Sequence, residues 1–149
     1  MVWKPHVTVA SVVEQAGRFL LVEEVVEGRR CYNQPAGHWE PGETLLDAVV
    51  RETLEETGYD FRPDYLIGVY HWEHPGKELT YLRFSFGGSV GAQRPNYPLD
   101  EGIIGPVWMT AEEVVAQTPQ HRNVMVQRCI NDYQAKKRYP LDILHSLTD

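Results

Sequence analysis

The sequence has few cysteines, no long hydrophobic run and no excess of positive charge. Cys31 and Cys129 are the two cysteines in 149 residues, so we expect no disulfide framework and a reducing, cytoplasmic location. No apolar run approaches the ~18–20 residues of a membrane span, and the N-terminus lacks a secretory signal. The formal net charge of −7 argues against nucleic-acid binding, which needs basic surface to meet phosphates.

The chain contains enough hydrophobic residues to bury a core. They make up 42% of the sequence, which is typical of a globular domain. The length fits one domain spanning residues 1–149, as a monomer or a homodimer. A negative chain can still take a small phosphorylated substrate, because a bound divalent metal changes the local sign of the charge.

Hydrophobic patterning and turn residues predict alternating strands and helices. We expect strands at residues 6–14, 18–26, 31–33, 61–70, 79–90 and 107–109. Helices are expected from residue 44 to 56 or 57, at 111–117 and at 123–137, with a loop at 91–105. The order of elements favours an α/β (or α+β) fold in which helices pack on a mixed β-sheet.

The first predicted helix has clear signals at both ends. Thr44 is placed to act as the N-cap, and Asp47 lies three positions later as the acidic half of a capping box. Gly58 fits the left-handed position that ends many helices. A loop rich in glycine and proline precedes this helix and includes Gly37.

Three glutamates share one face of this helix. At 100° per residue, Glu52, Glu55 and Glu56 lie within about 100° of one another. The other side carries the residues expected to face the core, which are Leu46, Val50, Thr53 and Leu54. The acidic face is either a solvated surface or a site for Mg²⁺ or Mn²⁺, whose preferred ligands are carboxylate and carbonyl oxygens. Gly37 would let the loop backbone approach such an ion closely.

The same stretch resembles the signature of the Nudix family. The pattern G-x5-E-x7-R-E-U-x-E-E-x-G-U, with U an aliphatic or bulky residue, is matched at Gly37, Glu43, Arg51, Glu52, Glu55, Glu56 and Gly58. Thr53 departs from it, because the family prefers an aliphatic residue there. The segments PHVTVA, NQPAGH, LRFSF and RYPLDIL further resemble the NudJ-type phosphatases within the family.

The resemblance implies a fold and a chemistry. The fold would be an α/β/α sandwich with a mixed sheet between helices. The activity would be hydrolysis of small organic diphosphates and triphosphates with Mg²⁺ or Mn²⁺. The metal ligands would be Glu52, Glu55, Glu56 and the Gly37 carbonyl. The catalytic residues would be Glu55, Glu52 and Arg51, with Glu55 or Glu52 as the general base and Arg51 orienting the carboxylates through Glu43 or Glu55. Glu101, next to Asp100, is a candidate base outside the signature.

Candidate substrate contacts lie at three positions. Trp39 and Trp72 could stack on a base or a pyrimidine ring, or could anchor their loops. Arg83 could bind a substrate phosphate. The NudJ-like resemblance points to nucleoside tri- and diphosphates or to hydroxymethylpyrimidine pyrophosphate. The alternatives are nucleotide sugars or dinucleoside polyphosphates and, in another class, a Nudix domain that binds a ligand without catalysis.

Overall fold

The computed structural model describes residues 2–147, which form eight strands and three α-helices. The strands are β1 (His6–Val12), β2 (Glu14–Gln15), β3 (Arg18–Val26), β4 (Arg29–Asn33), β5 (Ala36–His38), β6 (Tyr59–Glu73), β7 (Thr80–Gln93) and β8 (Ile103–Met109). The helices are α1 (Leu45–Thr57), α2 (Ala111–Ala116) and α3 (Met125–Gln134). Within the described range, no helix is long and apolar enough to cross a membrane.

The strands form two sheets. The first has the order β5-β1-β7-β6, with β1 parallel to β7 and the other pairs antiparallel. This confirms the predicted mixed sheet. In the second sheet, β3 pairs antiparallel with β2, β4 and β8. This sheet was not predicted, because strand patterns show where strands lie but not which partners they choose.

Helices α1 and α3 cover opposite faces of the mixed sheet. Leu66 and Ile67 are consecutive in β6, and their side chains pack in different cores. Leu66 packs in a core with Val49 of α1, whereas Ile67 packs in a second core with Ile130 of α3. The two cores confirm the predicted layers of helix, sheet and helix.

Both predicted end signals of α1 are confirmed. The Thr44 side chain accepts a hydrogen bond from the Asp47 N–H, and the Asp47 side chain accepts one from the Thr44 N–H. Gly58 has φ 78° and donates its N–H to the Leu54 carbonyl at 2.8 Å. These caps place the helix between the glycine-rich loop and β6, as predicted.

Other boundaries differ from the sequence prediction. β6, β7 and β8 are longer than predicted, so the loop expected at 91–105 shrinks to residues 94–102. The extra length arises because β6 and β7 pair along almost their whole length with three register shifts, which a local pattern does not reveal. The first predicted strand splits into β1 and β2, and α3 is shorter at both ends.

The predicted core face of α1 was partly wrong. The helix buries Ala48, Val49, Thr53 and Thr57, and it also buries Glu52 and Glu56. The side chains expected to face the core at Leu46, Val50 and Leu54 are only partly buried. A helical wheel gives the angles between side chains, but the packing of α1 against β1, β5 and β6 decides which arc is covered.

Thr53, the departure from the family signature, has a buried polar partner. Its Oγ1 donates its single hydrogen to the Val49 carbonyl at 2.8 Å. The Ser11 hydroxyl lies 2.8 Å from the same oxygen and must therefore be the donor in that pair. Both residues are fully buried, so the Ser11 and Thr53 side chains tie β1 to α1.

We predict that Thr53→Val destabilises the protein although it restores the aliphatic residue of the signature. The Ser11 hydroxyl would lose its acceptor in the core, which lowers the free energy of unfolding by about 1–3 kcal/mol. Chemical denaturation would measure the loss. Adding Ser11→Ala should recover much of it, and Thr118→Val on the exposed surface is the matched control. A fully stable Thr53→Val variant would contradict the assignment.

Candidate active site

Arg51 on α1 links three carboxylates of the acidic helix and its preceding loop. Its Nε and Nη2 donate to the two carboxylate oxygens of Glu43 at 3.0 and 2.8 Å. Its Nη1 donates to Glu52 at 2.7 Å and to Glu55 at 3.2 Å, and Nη2 also donates to the His38 carbonyl at 2.9 Å. The network raises the pKa of Arg51 and lowers that of Glu43. Arg51 therefore pairs with both residues that the sequence analysis offered as alternatives.

A cluster of three acids lies beside this network. Carboxylate oxygens of Glu52, Glu55 and Asp100 all lie within 4.8 Å of one another. Asp100 reaches the helix because its N–H donates to the Glu55 carbonyl at 3.1 Å. Glu101, the predicted outside base, is exposed and is not part of this cluster. The sequence analysis named both neighbouring acids of this loop, and the backbone contact brings Asp100 rather than Glu101 to the helix.

Glu52 is buried at the point where β5 crosses α1. A Cβ on Gly37 would overlap the Glu52 carboxyl group, so only glycine allows this approach. Burial raises the pKa of Glu52 to about 7, and the nearby charge of Glu55 adds to the rise, although Arg51 opposes it. The backbone at Gly37 thus closely approaches a carboxylate of the protein itself, and its predicted approach to a metal ion stays a prediction.

Glu56 lies one turn after Glu52 and is more strongly perturbed. Burial raises its pKa to about 9, although a hydrogen bond from the Ala36 N–H at 2.9 Å opposes the shift. The charge of Glu24 contributes to the rise, and Glu24 itself is paired with Arg122 at 2.6 Å. Glu56 is therefore a buried carboxyl group without a cationic partner among the described residues.

These residues fit a divalent cation. The donors are hard carboxylate oxygens, which suit Mg²⁺ and Mn²⁺. Arg51 supplies one positive charge to Glu43, Glu52 and Glu55, so the cluster keeps an excess of negative charge. Burial is the main cause of the raised pKa values of Glu52 and Glu56, and neighbouring carboxylates add to the rise. A bound cation would lower both pKa values.

A cleft of about 500 Å³ opens next to the acidic helix. Glu52, Glu56 and Gly37 line it, together with Trp72 and Arg83. Two of the predicted substrate contacts thus lie in one cleft with three of the four predicted metal ligands, whereas Glu55 is not among the lining residues. Because β5, β6 and β7 are brought together only by sheet pairing, the sequence could not show this proximity.

Trp39 occupies a different place from Trp72. Its side chain is about half exposed, and it is not among the residues that line the cleft. The Trp39 indole N–H donates to the Glu43 carbonyl at 2.8 Å. The structure therefore shows the alternative considered for Trp39, an anchor for its own loop.

Trp72 belongs to a row of rings that the sequence analysis missed. Its ring centroid lies 5.6 Å from that of Tyr81 and 5.3 Å from that of His74. Tyr81 in turn stacks on His6 at 5.2 Å, and His6 lies 5.3 Å from His38. Trp72 and Tyr81 meet because they are directly paired across the β6–β7 hairpin. The sequence could have revealed that Trp72 and Tyr81 are neighbours only if the pairing register of β6 and β7 had been recognised.

Comparison with known proteins agrees with the fold and the acidic helix. A family profile described as the NUDIX domain matches residues 3–129. The chain therefore belongs to the Nudix family, and it is a Nudix hydrolase.

Among curated relatives, "Phosphatase NudJ" of Escherichia coli (strain K12) is 42% identical over 142 residues, covering 95% of this chain and 92% of that protein. This confirms the NudJ-type resemblance. A solved "NUDIX hydrolase from Nitrosomonas europaea" superposes with a TM-score of 0.94 at 50% identity, covering 97% of this chain and 98% of that one. A MutT protein from Methanosarcina mazei Go1, at 22% identity and a TM-score of 0.72, covers 93% of this chain and all of its own and shares the fold.

We predict that the metal-free protein loses stability as the pH rises from about 4.5 to about 9. The folded protein keeps a proton on Glu56, whose pKa is about 9, whereas the unfolded chain releases it near its ordinary value of 4.5. In that window the unfolded state binds fewer protons, so the free energy of unfolding falls with pH. Glu52 adds to the fall up to about pH 7.

Thermal unfolding in EDTA across this pH range would measure the effect. Glu56→Gln should flatten the decline, because glutamine carries no proton to release. Glu112→Gln changes an exposed glutamate of α2 in the same way and should keep the wild-type slope. An unchanged slope in Glu56→Gln would contradict the prediction.

Proposed function

We propose that this Nudix hydrolase cleaves the diphosphate linkage of small organic diphosphates and triphosphates with Mg²⁺ or Mn²⁺. The observation that carries the proposal is the cluster of Glu52, Glu55 and Asp100 beside a cleft that also contains Arg83. The name phosphatase of the Escherichia coli relative agrees with phosphate-ester or anhydride chemistry. A cleft of about 500 Å³ is of the size that takes small molecules.

The metal would be held by Glu52, Glu55 and Glu56, with the Gly37 carbonyl as a further donor. Asp100 joins this set because of its position beside Glu52 and Glu55. A bound ion neutralises charge on the phosphate oxygens and makes water a better nucleophile. Loading the site requires Glu52 and Glu56 to give up the protons that their burial favours, so metal affinity should increase with pH.

Proton transfer from the attacking water is assigned to Glu55 or Glu52. Arg51 contacts both carboxylates and holds them in position, which is its proposed part in catalysis. Glu101 stays a candidate base outside the signature, and Asp100 is the stronger candidate because its carboxylate lies in the cluster. The carboxylate that acts as the base must lie within hydrogen-bond reach of the water that attacks the phosphorus atom.

Substrate recognition is assigned to Trp72 and Arg83, which line the cleft. Trp72 and its neighbour Tyr81 offer ring faces for a nucleobase or a pyrimidine ring. Nucleoside tri- and diphosphates and hydroxymethylpyrimidine pyrophosphate are therefore the proposed substrates, with nucleotide sugars and dinucleoside polyphosphates as the alternative. Trp39 as a substrate contact stays a prediction, and it is the weaker one, because the indole N–H already donates to the Glu43 carbonyl in its own loop.

Residues 1–149 are proposed to act as one domain in the cytoplasm, as a monomer or a homodimer. Residues that follow the family match at 3–129 pack against the rest of the protein. Tyr139 exchanges both backbone hydrogen bonds with Leu66 at 2.8 Å, and Leu141 and Leu144 pack against the core under α1. Cys31 and Cys129 are free buried thiols, which agrees with a reducing compartment.

We predict that Glu55→Gln and Glu56→Gln each lower kcat by about 10²-fold or more, as expected for loss of a metal ligand or a general base. Steady-state phosphate release with Mg²⁺ would measure the loss, and circular dichroism would confirm that the fold is kept. Glu112→Gln is the matched control. Rates like those of the wild type would exclude these glutamates from the site.

The two neighbouring acids outside the signature can be separated in the same assay. Asp100→Asn should lower kcat, because its carboxylate lies among those of Glu52 and Glu55. Glu101→Gln makes the equivalent change one residue away on an exposed side chain and should have little effect. The reverse order would restore Glu101 as the outside base.

Chelation and a substrate panel test the proposed activity itself. EDTA should abolish hydrolysis, and added Mg²⁺ or Mn²⁺ should restore it. The panel would contain nucleoside di- and triphosphates, hydroxymethylpyrimidine pyrophosphate, nucleotide sugars and dinucleoside polyphosphates. Following orthophosphate against pyrophosphate release distinguishes the proposed substrates from the alternatives. Activity that survives chelation would contradict the metal mechanism.

A further inference from the structure

Arg83 on β7 is a buried cation held by two neutral amides. Its side chain lines the cleft, yet the residue is only 2% exposed. Its Nη1 donates to the Gln34 Oε1 at 3.0 Å, and its Nη2 donates to the Asn33 Oδ1 at 3.0 Å. Nη1 also lies 3.9 Å from the Cys129 Sγ. The Nε of Arg83 is buried and has no hydrogen-bond partner among residues 2–147.

The other cations that line the cleft differ from Arg83 in their partners or their exposure. Lys77 is paired with Glu27 at 2.6 Å, and Arg122 is paired with Glu24 at 2.6 Å. Arg29 is exposed and reaches only backbone carbonyls at 3.4 Å. Within the described part of the chain, Arg83 is the cleft cation that is both buried and without a carboxylate partner.

A buried charge without a counter-ion is unfavourable unless something else offsets it. Amide oxygens satisfy guanidinium hydrogens, but they do not neutralise the positive charge. Aspartate and glutamate have nearly the same shape as asparagine and glutamine and would neutralise it. The choice of amides therefore leaves Arg83 able to attract an anion that enters the cleft.

We propose that Asn33 and Gln34 are positioning residues that hold Arg83 in place without neutralising it, so that Arg83 binds a phosphate group of the ligand. This inference rests on the proposed function and adds the residues that determine its preference for phosphorylated substrates. Arg83 would provide recognition of a phosphate rather than a step of the chemistry.

The amide pair is itself fixed and is joined to the acidic site. The Gln34 side chain is fully buried, and its Nε2 donates to the Val126 carbonyl at 2.8 Å. Asn33 ends β4, where it pairs with Val22 of β3. Three residues after Gln34, Gly37 meets Glu52. Arg83 and Glu52 thus contact the same short segment of chain, residues 33–37.

The test introduces the missing counter-ion. Asn33→Asp and Gln34→Glu would each place a carboxylate against Arg83 with little change of shape. Binding of inorganic pyrophosphate is measured by calorimetry in EDTA, so that neither metal nor hydrolysis contributes. We expect wild-type protein to bind it and each variant to bind at least about 10-fold more weakly, because a strong charge-assisted contact is lost.

Kinetics with metal separate positioning from a purely structural role. On a substrate found in the panel, Asn33→Asp and Gln34→Glu should raise KM by about 10-fold or more with kcat largely kept, as expected for loss of uniform binding. The melting temperature of Asn33→Asp should not fall, because Arg83 gains an ion pair. Gln34→Glu gains the same ion pair but loses the hydrogen bond to the Val126 carbonyl, so its melting temperature is expected to be the lower of the two. Asn131→Asp, the same change at an exposed position on α3, should alter neither KM nor pyrophosphate affinity.

Arg83→Met provides a second route if a carboxylate variant does not fold, and it should also lose pyrophosphate binding. The proposal is overturned if wild-type protein does not bind pyrophosphate in EDTA, or if Asn33→Asp and Gln34→Glu bind it as tightly as wild type. Failure of every panel substrate with intact pyrophosphate binding would instead contradict the proposed hydrolysis and leave the phosphate site standing.

Discussion

The contact between the Arg51 guanidinium and the carboxylates of Glu43, Glu52 and Glu55 organises the whole site. One guanidinium group has enough donors to contact several acids at once, and its charge is permanent under all ordinary conditions. Without it, the three neighbouring carboxylates, two on α1 and one in the preceding loop, would repel one another. With it, they are held near one another but retain a net negative charge, which is the condition under which a divalent cation binds.

Burial changes the acid–base properties of two glutamates on this acidic helix. Strand β5 covers α1, and its Gly37 meets Glu52 so closely that no side chain fits between them. Ala36 in the same strand donates to Glu56. Loss of water around Glu52 and Glu56 raises both pKa values, so both carboxyl groups hold their protons more tightly than exposed glutamates do. At Arg83 the buried group is a cation instead of an acid. Its hydrogen-bond partners are the amides of Asn33 and Gln34, which do not neutralise its charge.

Much of the fold and of the acidic helix was predictable from local signals. Thr44 and Gly58 mark the ends of α1 because capping needs specific side chains and a specific backbone conformation within a few residues. The spacing of Arg51, Glu52, Glu55 and Glu56 indicated a shared acidic face for the same reason. The mixed sheet between helices also followed from the order of elements and from the family resemblance. The caps and the acidic face depend on residues that are close together in the chain.

The sequence by itself therefore determined the family, the acidic helix and its caps, because each depends on residues a few positions apart. Only the tertiary structure decided that Asp100 rather than Glu101 joins the cluster, that Tyr81 stands beside Trp72, and that Arg83 rests on Asn33 and Gln34. It also decided that Glu52 and Glu56 are buried, whereas the helical wheel had placed them away from the core. Each of these results depends on strand pairing and on packing between distant segments, and local patterns carry no information about either.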